Sequence, residues 1–107
     1  MRSYHSLRRR ADFARVARQG QRRVAKHLTC LVADGGESTR IGLTVSARVG
    51  GAVMRNRLRR QLRAILDRYA LGGAAHRDIV FVVRPGAADL TFTELTAEVE
   101  RTLGPPS

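Results

Sequence analysis

Across residues 40–84 the spacing of apolar residues changes twice, and this restricts the fold more than any other feature of the chain. Ile41, Leu43, Val45 and Ala47 alternate with Gly42, Thr44 and Ser46, the period of two expected of a strand with one face on a core. Over residues 52–69 the apolar positions Met54, Leu58, Leu62, Ile65, Leu66 and Tyr69 recur at helical spacing, ahead of Gly72 and Gly73. Ile79-Val80-Phe81-Val82-Val83 is then continuously apolar and rich in β-branched residues, which predicts a central strand covered on both faces and ended by Pro85-Gly86. Strand, helix and strand in this order predict a β-α-β unit, whose crossover is right-handed in roughly 98% of known cases.

The flanks complete the domain. Residues 1–10, with Arg2, Arg8, Arg9 and Arg10 around Leu7, read as a basic arm leading into a helix over 11–19 that Gly20 stops. Residues 28–33 read as a strand, and the turn at 34–38 is expected to join it to the strand at 40–47 as a hairpin. Thr91 and Glu94 have the spacing of a capping box, opening a last helix with Phe92, Leu95, Val99 and Leu103 inward and Glu94, Glu98 and Glu100 outward. Gly104-Pro105-Pro106-Ser107 cannot continue that helix and is expected to be a disordered tail. The 107 residues are enough for one domain, 1–107, of the α+β class: an α-β-β-α-β-α sandwich with helices packed on a central sheet.

Charge then points to a partner. Twenty basic residues against nine acidic ones give +11, and Arg55, Arg57, Arg59, Arg60 and Arg63 crowd one short helix. Like charges at this spacing repel, so they serve a polyanion lying opposite rather than the fold. At roughly 100° per residue, Asn56, Arg59, Arg60 and Arg63 fall away from the apolar stripe, with Arg57 and Arg68 on the far flank. Lys26 is the single lysine; arginine's planar fork suits phosphate, although a codon bias would also favour it. Phe13 reads equally as a core staple or as a platform for stacking a base.

Catalytic patterns are missing. His5, His27 and His76 are scattered, no carboxylate pair or metal-ligand spacing occurs, and Val49-Gly50-Gly51 lacks the ending of a phosphate-binding loop, though it precedes a helix N-terminus. Neither a catalytic residue nor a metal site is expected in the chain itself. The lone Cys30 reads as a core thiol in a reducing compartment, and no stretch has the apolar length of a signal or membrane span, so a cytoplasmic, membrane-free protein is expected.

Ser46-Ala47-Arg48-Val49-Gly50-Gly51-Ala52-Val53-Met54-Arg55-Asn56-Arg57-Leu58-Arg59-Arg60-Gln61-Leu62-Arg63 resembles the signature of the bacterial ribonuclease P protein subunit, a small-residue turn leading into the "RNR" helix. Residues 7–13 and 78–85 look like that family's basic lead and central strand, so the resemblance spans nearly the whole chain. It implies a left-handed β-α-β crossover, against the general default. It also implies a protein cofactor of the endoribonuclease that removes the 5′ leader from precursor tRNA, with magnesium-dependent catalysis in the RNA subunit and one protein per RNA. Arg55, Asn56, Arg57, Arg59, Arg60 and Arg63 would contact the ribonuclease P RNA. Phe13, Arg15, Arg18, Lys26 and Arg48 would line the cleft for the precursor tRNA leader. Ala17 and Leu31 stand where relatives often carry aromatics, and Gly51 where they often carry asparagine. A structural RNA-binding protein of ribosomal type is the alternative that charge alone leaves open. A DNA-binding regulator is disfavoured because Leu58, Leu62 and Ile65 commit the basic helix to the core.

Overall fold

The computed structural model describes residues 4–69 and 76–104. In chain order the elements are β1 (His5–Ser6), α1 (Arg10–Gln19), β2 (Gln21–Val24), β3 (Leu28–Asp34), β4 (Arg40–Val45), α2 (Ala52–Leu66), β5 (Arg77–Val83) and α3 (Phe92–Leu103), with a 3₁₀ turn at Ala87–Asp89. The strands form one sheet in the order β1-β4-β5-β3-β2. As its unbroken apolar run predicted, β5 is central, parallel to β4 through the α2 crossover and antiparallel to β3.

The expected hairpin between β3 and β4 does not form, because β5 lies between them. The most apolar strand needs hydrogen-bonded neighbours on both edges, and the connection after β3 has only to cross two strand spacings, roughly 10 Å. It arches over the start of β5. Gly35 N–H donates to the His76 carbonyl (3.0 Å), and Arg77 N–H donates to Thr39 Oγ1 (3.3 Å). A Cβ on Gly35 would stand 2.9 Å from the Arg77 backbone, so only glycine lets the chain pass this close.

Period-two alternation divides the sheet between two cores. Leu28, Cys30, Val32, Ile41, Val45, Ile79, Phe81 and Val83 meet α2 and α3 through Leu58, Leu62, Ile65, Leu66, Leu95 and Val99. On the other face Ala33 and Val80 pack with Leu7 and Val16, bordered by Phe13, Leu31 and Val82, so α1 rests on a much smaller apolar contact. Within α1 only Val16 is fully buried.

Local differences from expectation have local causes. The basic arm is not free over residues 4–7: Tyr4 and Leu7 are buried, and β1 pairs with β4 as an edge strand. α1 starts at Arg10, and α2 ends at Leu66, leaving Tyr69 buried beyond the helix with its hydroxyl donating to the Gly104 carbonyl (2.7 Å). The capping box forms in both directions, Glu94 N–H to Thr91 Oγ1 (3.1 Å) and Thr91 N–H to Glu94 Oε1 (2.9 Å). Glu98, expected outward, is buried: three residues after Leu95 and one before Val99, it falls on the flank of α3 that meets the β2–β3 turn. There its carboxylate accepts the His27 backbone N–H (2.6 Å) and lies 2.7 Å from His27 Nδ1. The anticipated tail at 105–107, like Arg2 and the glycines at 72 and 73, lies outside the described residues.

Candidate nucleic-acid interface

α2 has no acidic residue in its first turn and no side-chain cap, so the positive end of its dipole is left uncompensated beside its arginines. Leu58, Leu62, Ile65 and Leu66 of its stripe are buried, and this fixes the rotation of the opposite face. Asn56, Arg60 and Arg63 are exposed there, next to Val53, which is 84% exposed. With Arg59 they line a shallow groove along the helix. Arg59 Nη1 donates to Asn56 Oδ1 one turn earlier (3.2 Å), which holds the guanidinium in register with the row.

Three arginines of the motif depart from the simple outward picture. Arg59, about 100° from Leu58 on the wheel, sits at the margin of the buried stripe and is half-buried. Arg55 falls within the angular range of the stripe, between the directions of Leu62 and Leu66 but at the start of the helix, and is also half-buried. Arg57 lies on the other flank, where its Nη2 donates to the Ala88 carbonyl (2.8 Å) and ties α2 to the 3₁₀ turn.

A cavity of about 320 Å³ opens at the β1–β4 edge, lined by Leu7 and Phe13 from the α1 side, by Tyr4 and Arg8 beside β1 and by Arg59 and Arg63 from α2. The structure therefore brings Phe13 beside two arginines that the sequence had placed on a separate surface. Phe13 is half-buried: it packs on the smaller core and over Gly42, as a core staple would, and it also lines this cavity.

The remaining cleft residues divide. Arg18 is exposed on α1, Lys26 on the β2–β3 turn and Arg48 beyond β4. Lys26 and Arg48 share one end of the sheet, because Leu28 and Val45 both pair with Val83. Arg84, absent from the sequence-based set, joins that end, its Nε donating to Thr29 Oγ1 (3.1 Å). Its place directly after the central strand was the available signal. Arg15 is not free: its Nη2 donates to Asp78 Oδ2, and its Nη1 reaches the Asp34 carbonyl (3.4 Å).

Asp78 is the second residue that sequence reasoning missed. Burial pushes its carboxyl up, but the hydrogen bonds and charges of Arg40 and Arg15 outweigh burial and hold it below the usual carboxylate range. The same pairing raises Arg40 above its ordinary value. Burial drives the Cys30 thiol up to about 12, so it carries no nucleophilic chemistry at neutral pH. Among the described residues no three His, Cys, Asp or Glu side chains converge on a possible metal site, and no helix is long and apolar enough to cross a membrane.

Comparison with known proteins gives this surface a context. Residues 1–105 match the family model described as Ribonuclease P. The chain is 37% identical over 105 residues to the ribonuclease P protein component of Acidothermus cellulolyticus, covering 95% of this chain and 88% of that one. It is 38% identical to the ribonuclease P protein component of Gluconacetobacter diazotrophicus, with 92% and 88% covered. The fold is similar to that of the Staphylococcus aureus RNase P protein, with a TM-score of 0.83 at 23% identity over 96% of this chain and 94% of that one. For the Thermotoga maritima RNase P protein the TM-score is 0.80 at 25% identity, over 94% and 96%. A basic helix locked to a five-stranded sheet, matched along almost its whole length, places the chain in the ribonuclease P protein component family.

Proposed function

We propose that this chain is the protein subunit of the ribonuclease P ribonucleoprotein, binding the catalytic RNA and the 5′ leader of precursor tRNA and assisting magnesium-dependent removal of that leader. The observation that carries this reading is the division of α2 between two tasks. Leu58, Leu62, Ile65 and Leu66 are buried, while Asn56, Arg60 and Arg63 stand exposed opposite them. A helix that cannot rotate presents its guanidinium forks at fixed spacing, which suits a folded RNA backbone more than a flexible polyanion. Arg59 and Arg55 extend this row toward the sheet edge, and Arg57 supports it from within.

The leader occupies the α1 side, where Phe13 offers a ring edge and Arg18, Lys26, Arg48 and Arg84 offer charge. Arg15 contributes through its ion pair and not through phosphate. Each phosphate neutralised by an arginine is one fewer for divalent ions to screen, so the chain lowers the magnesium the reaction requires. The donor set does not fit a magnesium ion resident on the protein: Asp12 and Asp78 are engaged by Arg15 and Arg40, and no third carboxylate joins them among the described residues. On this reading hydrolysis belongs to the RNA subunit, with one protein per RNA, in the cytoplasm.

Cleavage of a precursor tRNA by a bacterial ribonuclease P RNA at low magnesium, with and without this chain, tests the reading. A gain in cleavage and in precursor affinity is expected. No gain in either would leave only a structural RNA-binding role.

A further inference from the structure

Asp78 has 0% of its side chain exposed, and it lies on the face of β5 that receives α1. A carboxylate in that position is tolerated only when it is paired and hydrogen-bonded. Arg40, on the neighbouring strand β4, grips it with a fork: Nε to Oδ1 at 3.0 Å and Nη2 to Oδ2 at 2.7 Å. Arg15 of α1 donates to the same Oδ2. Asp12, also on α1, closes the cluster at 3.4 Å from Arg40 Nη1 and 3.9 Å from Arg15 Nη2. Two positive and two negative charges result, two from the helix and two from the sheet.

This cluster matters because α1 has so little apolar anchorage. With Val16 its only fully buried residue, the helix could pivot on the sheet at small cost in apolar area. Asp12 and Arg15 bracket Phe13, so whatever fixes these two charged side chains also fixes where the ring stands over Gly42. We infer that Asp78 is a positioning residue for leader recognition: it clamps α1 through Arg15 and thereby sets Phe13 at the mouth of the sheet-edge cavity. This rests on the proposed role of the α1 side in leader binding. It assigns Asp78 and Arg15 no direct contact with RNA.

The test uses the holoenzyme assembled from the full chain and a bacterial ribonuclease P RNA, with Asp78→Asn and Asp78→Glu. The readouts are affinity for precursor tRNA relative to mature tRNA, affinity for the RNA subunit across salt, and the single-turnover cleavage rate at saturating enzyme. Asp78→Asn is expected to reduce the precursor-to-mature ratio about tenfold, comparable to losing one stacked base. RNA-subunit affinity and the saturated rate should stay within about twofold and the salt slope should not change, because the loss is confined to the α1 side. Asp78→Glu, which keeps the charge, should recover part of the ratio. Arg15→Met removes the donation to Asp78 and to the Asp34 carbonyl while leaving the Arg40 fork and its contact with Asp12, and it should reproduce the loss if Asp78→Asn does not fold. An unchanged ratio in a folded variant overturns the inference, as does a parallel loss of both affinities in a folded variant. A wild-type chain that shows no preference for precursor over mature tRNA instead overturns the leader-binding reading itself.

Discussion

Phe13 and Gly42 compete for one space: a Cβ built on Gly42 would stand 2.5 Å from the Phe13 ring Cζ and 2.7 Å from Cε1. Gly42 is a buried position on a strand whose alternation sends it to the α1 face, so the absent side chain is what admits the ring. Gly42→Ala should push the ring toward the sheet-edge cavity. The expected cost is about 1–3 kcal/mol of stability from overpacking, read by urea denaturation. Precursor-to-mature discrimination should fall while affinity for the RNA subunit is retained. Equal loss of both affinities in a fully folded variant would show that Phe13 does not act separately from α2.

Arg57 and Arg60 are close in sequence and opposite in use. Arg57 donates to the Ala88 carbonyl at 2.8 Å, whereas Arg60 is exposed on the grooved face. Arg60→Ala should therefore leave stability within about 0.5 kcal/mol and flatten the salt dependence of RNA-subunit binding by roughly 0.7 to 0.9 of a log unit in slope, one phosphate contact. Arg57→Ala should do the reverse. It should lose about 1.5–3 kcal/mol of stability with its charge-assisted hydrogen bond and leave the slope unchanged. A flattened slope in Arg57→Ala would show that this guanidinium leaves Ala88 for phosphate in the complex.

Asp78 also makes an acid signature. Arg40 and Arg15 outweigh burial and hold its carboxyl below the ordinary value of 3.8. A folded value below the unfolded one means that the contribution is complete above about pH 4–5 and is lost as pH falls through the lowered value. Urea denaturation from pH 7 to pH 3 should show wild type losing stability steeply below about pH 4.5, and Asp78→Asn, less stable at neutral pH by roughly 3–5 kcal/mol, converging toward it. Glu94, whose carboxyl is lowered by the Thr91 capping hydrogen bonds, is present in both proteins and cancels. Parallel curves would show that Asp78 is not ionised in its buried site.

The β-α-β unit and the capping box were legible because each is written in local periodicity: 41, 43 and 45 alternate, 58, 62 and 65 recur, and Thr91 and Glu94 sit three apart. The pairing of β3 was not, because register and neighbour choice depend on β5, more than forty residues away, and a short Gly-containing turn looks alike in a hairpin and in an arch over a third strand. β2, Gln-Arg-Arg-Val with no buried residue, carries no alternation to read. In the candidate site the outward row of Asn56, Arg60 and Arg63 followed from wheel geometry, whereas the fates of Arg15 and Arg57 did not. An arginine meets a buried carboxylate or a carbonyl only through tertiary contacts, and composition counts all guanidinia as alike.

Cys30 offers a direct readout of how the two halves of the molecule are coupled. It is completely buried on the α2–α3 side of β3, and burial raises its thiol from 9.0 to about 12. At pH 8 the native thiolate fraction is then on the order of one in ten thousand, so alkylation by iodoacetamide should proceed through opened molecules. The labelling rate should rise with urea and level off above about pH 9, where the exposed thiol is already ionised. A rate climbing steadily toward pH 12 in native protein would show direct access to the buried sulfur. Saturating ribonuclease P RNA should slow labelling by about the factor 1 + [RNA]/Kd, because the RNA binds a helix whose opposite face covers the same core as Cys30. RNA that binds without slowing the reaction would mean that the core opens while α2 remains attached.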